Sequence, residues 1–348
     1  MNMRIFEGYR NGINLGGWIS QFKSYDVTHF DTFITEENIK DIASMGFDHV
    51  RVPVDYIVLQ DDDGNLRETG FGYLDKCRKW CRNAGLKMII DLHECYGFSF
   101  DPGKKDDKTK FFYDEDLQER FLNLWEQIAL RFGEYHEYVA FEPLNEVVNE
   151  EVKDAWNIVV AKFIRRVRKT APVTDLIIGG VNYNNASCVK YLNFPLDDHI
   201  VYNFHCYEPF YFTHQGAFWI EGMPLDFRIG YPETLDEYKA ASAVFDKEIG
   251  SAVFTDGIGE IGTQFFEDFF ASAIEKAEAD NVPLYCGEYG VVESAESEDI
   301  VKWLKDVTAV FNEHGIGHAM WNYKGLYFGL SDPWNEDVRK GFSGLKTR

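Results

Sequence analysis

No run of apolar residues in this sequence is long enough to span a membrane. Low-complexity tracts are also missing, so a disordered tether or stalk is not expected. Positive charge is scarce. Against 58 Asp and Glu stand 35 Lys and Arg, a formal net charge of −23. Such a surface repels phosphate backbones and polyanionic polysaccharides, which leaves no expected nucleic-acid partner and favours a neutral substrate. Cysteine is sparse and unpatterned. Cys77, Cys81, Cys95, Cys188, Cys206 and Cys286 show neither a disulfide framework nor a zinc knuckle. Cys77 and Cys81 fall on one face of an expected helix and read as buried free thiols. The opening MNMRIFEGYR has no apolar signal region. The sequence as given reads as a cytoplasmic monomer with no membrane contact, or as secreted if a leader was removed.

What is present is material for a large core. Of 348 residues, 45% are hydrophobic and 16% aromatic. One pattern recurs: an amphipathic stretch ends near a glycine, and a short apolar run follows, closing on polar or aromatic residues. Met45-Gly46-Phe47 leads into DHVRVPV, Ala84-Gly85 into LKMIIDLH, and His314-Gly315 into IGHAMWNY. Glycine permits the left-handed cap that ends a helix. Runs apolar on both faces suit buried parallel strands. Eight such strands are expected, at about 12–18, 48–54, 87–93, 138–146, 176–182, 200–207, 283–290 and 316–323. The clearest helices are expected at 35–45, 71–84, 115–134, 149–170, 265–280 and 296–313. Eight β/α units imply an α/β protein, a (β/α)8 TIM barrel forming a single catalytic domain over 1–348. The spacing breaks once, between strands six and seven. Residues 209–264 therefore read as a small, partly helical insertion subdomain over the barrel mouth, opening with EPFYFTHQGAFW and continuing through helical EYKAASAVFDKEIG.

Polar residues crowd the C-terminal ends of the strands: Arg51, Asp91, His93, Asn145, Glu146, Asn182, Asn203, His205, Tyr207, Glu288, Trp321 and Asn322. TIM-barrel active sites form on that face. Any one of these could be structural, but together they mark a site. Glu146 is expected to end strand four and Glu288 strand seven, so their side chains can face each other across the mouth. Two carboxyl groups flanking a bond are the requirement for glycoside hydrolysis, and a separation near 5 Å makes it retaining.

The segments NGINLGGW (11–18), HVRVP (49–53), DLH (91–93), FEPLNE (141–146), NFHCY (203–207), YCGEYG (285–290) and WNYKG (321–325) resemble glycoside hydrolase family 5, the cellulase family. They come in the family's order and span most of the chain. The insertion is similar to one before the seventh strand in a subgroup of clostridial endoglucanases. The resemblance implies a retaining endo-β-1,4-glucanase acting on cellulose-type or mixed-linkage β-glucan by double displacement, with no cofactor and no metal. It implies Glu146 as acid/base and Glu288 as nucleophile. Asn145 would bond the sugar 2-hydroxyl, and Arg51 and Tyr207 would hold Glu288 ionised, lowering its pKa. His93 and His205 would line the cleavage subsite, with Trp321 as its floor. β-Mannanase, xyloglucanase and β-1,3-glucanase keep the same groups and remain alternatives, as does a non-catalytic carbohydrate-binding barrel.

Other residues draw plainer readings. Glu142 should pair with Arg51 or another buried donor. Glu94 stands where related sequences often carry a second His and could alter a sugar contact. Val147 replaces a common Pro. Cys95, Cys206 and Cys286 lie near the site in sequence, without a nucleophile's role. DLH is not the HxH of a metal hydrolase. Among the loop aromatics Tyr96, Phe98, Phe210, Tyr211, Phe212 and Trp219, the favoured sugar platforms are Phe212 and Trp219.

Overall fold

The computed structural model describes residues 3–104, 107–242 and 261–343. Eight strands, β1 (Asn11–Asn14), β2 (His49–Asp55), β3 (Lys87–Glu94), β4 (Val139–Glu142), β5 (Leu176–Gly179), β6 (Ile200–Cys206), β7 (Leu284–Tyr289) and β8 (Gly317–Met320), form one closed barrel in sequence order. Every pairing is parallel, and β1 closes on β8 through Asn11 opposite His318. Both faces of these strands are covered, so β2, β6 and β7 are buried along their whole length.

The strands are shorter at the mouth than their apolar runs suggest. β1, β4, β5 and β8 each have four residues. Glu146 therefore does not end a strand. It lies four residues past Glu142, in a loop, with φ +28°.

Alternation along the strands sorts the lumen into layers. At the base, Ile89, Ala140, Ile177, Val201, Tyr285 and Ala319 form an apolar cluster plugged by Phe6 and Tyr9. Two residues further along three of these strands come Asp91, Glu142 and Asn203, and Arg51 joins them from β2. Two further still come His93 and His205. Polar chemistry is thus stacked directly on the apolar base.

Helices Glu36–Ser44, Glu68–Ala84, Glu115–Phe132, Lys153–Val167, Thr263–Asp280, Ser297–His314 and Glu336–Ser343 ring the barrel. Between β5 and β6 the crossover is only a 3-10 turn, Ala186–Tyr191. Three outer tryptophans tie helices to the mouth. Trp125 Nε1 donates to the Pro143 carbonyl, Trp156 Nε1 to Gly179, and Trp303 Nε1 to Glu208. The first of these anchors the loop that carries Asn145 and Glu146.

Between β6 and Thr263 lie the short helices Phe210–Thr213 and Leu235–Ser242. The rest of the expected helix through 250 falls within 243–260, outside the described residues. Among the described residues no helix is long and apolar enough to cross a membrane.

Candidate active site

Arg51 organises the centre. It is fully buried. Its Nε and Nη2 grip both oxygens of Glu142 at 2.7 and 2.9 Å, a bidentate pair that fixes the guanidinium plane. Nη1 donates to Glu288 Oε1 at 2.7 Å and to Asn14 Oδ1 at 3.0 Å. Nη2 also reaches Asn145 Oδ1 at 2.9 Å and Asp91 Oδ2 at 3.0 Å. Asn203 Nδ2 completes Glu142 at 2.9 Å. Glu142 is therefore the Arg51 partner that its position implies.

One cation faces three buried carboxyls. Burial pushes Asp91 and Glu142 up to about 7, against the pull of Arg51. Burial also disfavours the Arg51 cation, but Asp91, Glu142 and Glu288 outweigh that and hold it charged.

Glu288 reaches the lumen through a backbone irregularity. Tyr285 belongs to the apolar base, so simple alternation would turn residue 288 outward. The register between β6 and β7 slips, pairing Phe204 with Cys286 and then His205 with Glu288. The extra residue, Gly287, re-aims Glu288 inward, as bulges near active sites do. Gly287 also sits too close to its neighbours for a side chain: a Cβ there would lie 2.9 Å from the Asn203 amide. Its N–H donates to Asn203 Oδ1 at 2.8 Å, and its carbonyl accepts from Asn14 Nδ2 at 2.9 Å.

The two oxygens of Glu288 are held separately, Oε1 by Arg51 and Oε2 by the Tyr207 hydroxyl at 2.9 Å. The expectation that these contacts bring Glu288 below its ordinary pKa fails. Burial raises it, and Arg51, His93 and Tyr207 only oppose that rise. Glu146 is raised further, well above its ordinary value, by burial and then by the charge of Glu288. The order of ionisation survives: Glu288 loses its proton first.

His205 stands between the two acids. Its Nδ1 is 2.8 Å from Glu146 Oε1 and 3.7 Å from Glu288 Oε2. One oxygen of each carboxyl and this nitrogen lie within 4.8 Å of one another. That matches the roughly 5 Å of retaining glycosidases and is too close for the intervening water of inverting ones. A cation could use the same spacing, but these atoms already serve Arg51, Tyr207 and each other.

His93 Nδ1 bonds Asp91 Oδ2 at 2.7 Å, and its ring lies parallel to Trp321 with centroids 5.8 Å apart. Burial lowers His93 to about 3 and also depresses His205, so both rings are neutral. His93 Nε2 and Asn145 Nδ2 are buried polar atoms without a hydrogen-bond partner in the protein. Trp321 packs with Val292 and Phe328, bordered by Tyr207 and Trp219.

The loop aromatics divide. Phe212 is fully buried against Tyr231 and offers no face to a sugar, which corrects its expected role. Trp219 is half-buried and joins Phe218 and Tyr327 in an aromatic rim, with centroids 5.1 and 5.0 Å away. Phe218 and Tyr327 carry no signal of exposure in the sequence, because each adjoins another aromatic, Trp219 and Phe328, and adjacency does not say which faces solvent. Asn14 and Asn184 are also new at the site. Glu94, the last residue of β3, bonds Ser99 and Lys104 of the following loop rather than facing the centre. The six cysteines are buried and unpaired, Cys77 and Cys81 with sulfurs 3.9 Å apart.

Comparison with known proteins gives the family and agrees with the fold. Residues 11–326 match the family model described as cellulase (glycosyl hydrolase family 5). Cellodextrinase A of Ruminococcus flavefaciens is 42% identical over 89% of this chain and 84% of its own. Endoglucanase C of Acetivibrio thermocellus is 38% identical over 94% of both. A hyperthermophilic endo-β-1,4-glucanase solved with substrate superposes with a TM-score of 0.75 at 25% identity, over 97% of each chain. The chain belongs to glycosyl hydrolase family 5, and it is a glycoside hydrolase.

Proposed function

We propose that this enzyme is a retaining endo-β-1,4-glucanase in which Glu288 is the nucleophile and Glu146 the acid/base. The observation that carries this is a pair of carboxyls that bring one oxygen of each within 4.8 Å, one carboxyl gripped by Arg51 and Tyr207 and the other held by His205. Glu288 attacks the anomeric carbon while Glu146 protonates the departing oxygen, giving a glycosyl-enzyme. Esterification removes the charge on Glu288 that raises Glu146. Glu146, which gave its proton to the departing oxygen, therefore stays ionised and takes a proton from the water that attacks the anomeric carbon and releases Glu288. Asn145, its Oδ1 fixed by Arg51, keeps Nδ2 for the sugar 2-hydroxyl. Trp321 forms the subsite floor beside His93, and the rim of Trp219 borders an outer sugar. β-1,4-Glucan is the substrate that the relatives' names point to, and mixed-linkage glucan is the second substrate proposed for the same subsite floor. Preferential release of sugar from glucomannan, xyloglucan or laminarin would keep the mechanism and overturn this choice of substrate.

The pH profile follows from the directions of the two shifts. Activity needs Glu288 ionised and Glu146 protonated. It falls as pH drops through the Glu288 pKa, which lies above the usual glutamate value, and falls again as pH rises through that of Glu146. The histidines, neutral across this range, contribute neither limb.

The direct test is Glu288→Gln. Turnover on barley β-glucan should drop by about 10⁴-fold or more while cello-oligosaccharide binding persists. Unchanged turnover would refute the assignment, and a wild-type protein that binds glucan without cleaving it would favour the binding barrel. A second reading, action on short cello-oligosaccharides, is favoured by the 42% identical cellodextrinase. Rapid viscosity loss in carboxymethylcellulose supports endo attack. Reducing-sugar release without viscosity loss supports the second reading.

A further inference from the structure

The turn after β5 contains three successive non-glycine residues with left-handed backbone: Asn182 (φ +53°), Tyr183 (φ +56°) and Asn184 (φ +55°). Side chains disfavour this conformation, asparagine least, so a run of three needs a compensating contact. Asn184 makes that contact twice, and both times with His205. Its carbonyl accepts the His205 backbone N–H at 2.8 Å, and its side-chain Nδ2 lies 3.3 Å from His205 Nε2. Asn184 is 1% exposed. Space for its amide exists only because β5 ends in glycine: a Cβ on Gly179 would lie 2.4–2.7 Å from the amide atoms.

We propose that Asn184 is a positioning residue for the acid/base, acting through His205. The proposal rests on the assignment of Glu146 given above. An amide NH2 only donates. Held against Nε2, it makes that nitrogen the acceptor of a neutral ring, and the ring proton must sit on Nδ1. Nδ1–H then donates to Glu146 Oε1. With Oε1 occupied as an acceptor, the transferable proton of Glu146 is confined to Oε2. The opposite tautomer would turn a lone pair toward Glu146 and draw that proton into His205, away from the departing oxygen. Charged and titratable groups face the ring from every side: Glu146 from the loop after β4, Glu288 from β7, Arg51 from β2 and His93 from β3. A neutral, singly oriented imidazole is the state that serves both carboxyls.

The test compares two leaving groups. Dinitrophenolate departs without a proton, whereas a glucosyl unit needs one. Asn184→Ala should lower kcat/KM about 30-fold on cellotetraose and less than about threefold on dinitrophenyl β-cellobioside, because kcat/KM reports only the steps through formation of the glycosyl-enzyme. On cellotetraose the loss should lie in kcat, with KM within about twofold. The basic limb of kcat/KM should move to higher pH, because Glu146 then donates into the ring. In the wild type, ¹⁵N NMR of His205 should show the proton on Nδ1, a readout that does not depend on the variant folding. Equal losses on both substrates with an unmoved basic limb, or a wild-type proton on Nε2, would overturn the proposal. Glu146→Ala is the control. If it shows no leaving-group dependence, the acid/base assignment itself fails, which is distinguishable from failure at Asn184 alone.

Discussion

The base and the mouth of the barrel are built by the same strands, two residues apart, and they obey opposite rules. At the base, Ile89, Ala140, Ile177, Val201 and Ala319 bury apolar surface, each contributing cohesion. One step up, Arg51, Asp91 and Glu142 bury charge, which burial penalises. The upper layer persists because each group is paired, and the pairing orients Glu288 and Asn145. Cohesion at the base holds the strands in the register that the charged layer requires. The lesson is that stability and chemistry are separated here by a single period of strand alternation rather than by distance in the fold.

Breaking the upper layer should do the most damage. Arg51→Met leaves Asp91, Glu142 and Glu288 without their cation. About 3–5 kcal/mol of stability should be lost near neutral pH, together with most activity. The stability loss should shrink below about pH 6, where Asp91 and Glu142, with pKa about 7, accept protons. Denaturant melts at two pH values would check this, and an equal loss at both would contradict the charged-layer account.

A break in the base should separate the two rules. Ile177→Ala should cost about 2–4 kcal/mol through the cavity it leaves, yet keep kcat near wild type at temperatures where the protein stays folded. A large fall in kcat without melting would mean that the layers are not separable.

Much of this comparison could be read from the residues alone. The recurring helix, glycine and apolar run gave the eight strands, and the polar residues closing those runs gave the site. What stayed hidden depends on local backbone. Nothing in YCGEYG says that Gly287 slips the register and turns Glu288 inward. Nothing in FEPLNE says that the strand stops at Glu142 and that Glu146 sits in a loop. Phe212 and Trp219 look alike in sequence, but burial separates them. Asn184 carries no signal of its own because three asparagines around a tyrosine look like an ordinary turn, and only the positions of His205 and Gly179 show what the turn holds.

The smallest effect expected is at the rim. Trp219→Ala should raise KM for cellotetraose roughly tenfold, on the order of 1–2 kcal/mol of lost apolar contact, with kcat little changed. Phe212→Ala should instead destabilise the fold by about 3–5 kcal/mol. Steady-state kinetics and thermal melts on the two variants would sharpen the division between rim and core. The reverse pattern would reassign both residues.

The central claim is double displacement with Glu288 as the attacking group. Its most direct test is to trap the intermediate with a 2-deoxy-2-fluoro β-cellobioside carrying a good leaving group, then to digest the protein and locate the label by mass spectrometry. One fluorocellobiosyl group per chain, on the peptide containing Glu288, is the expected result. A label on any other residue, or α-configured product from the natural substrate, would contradict the account.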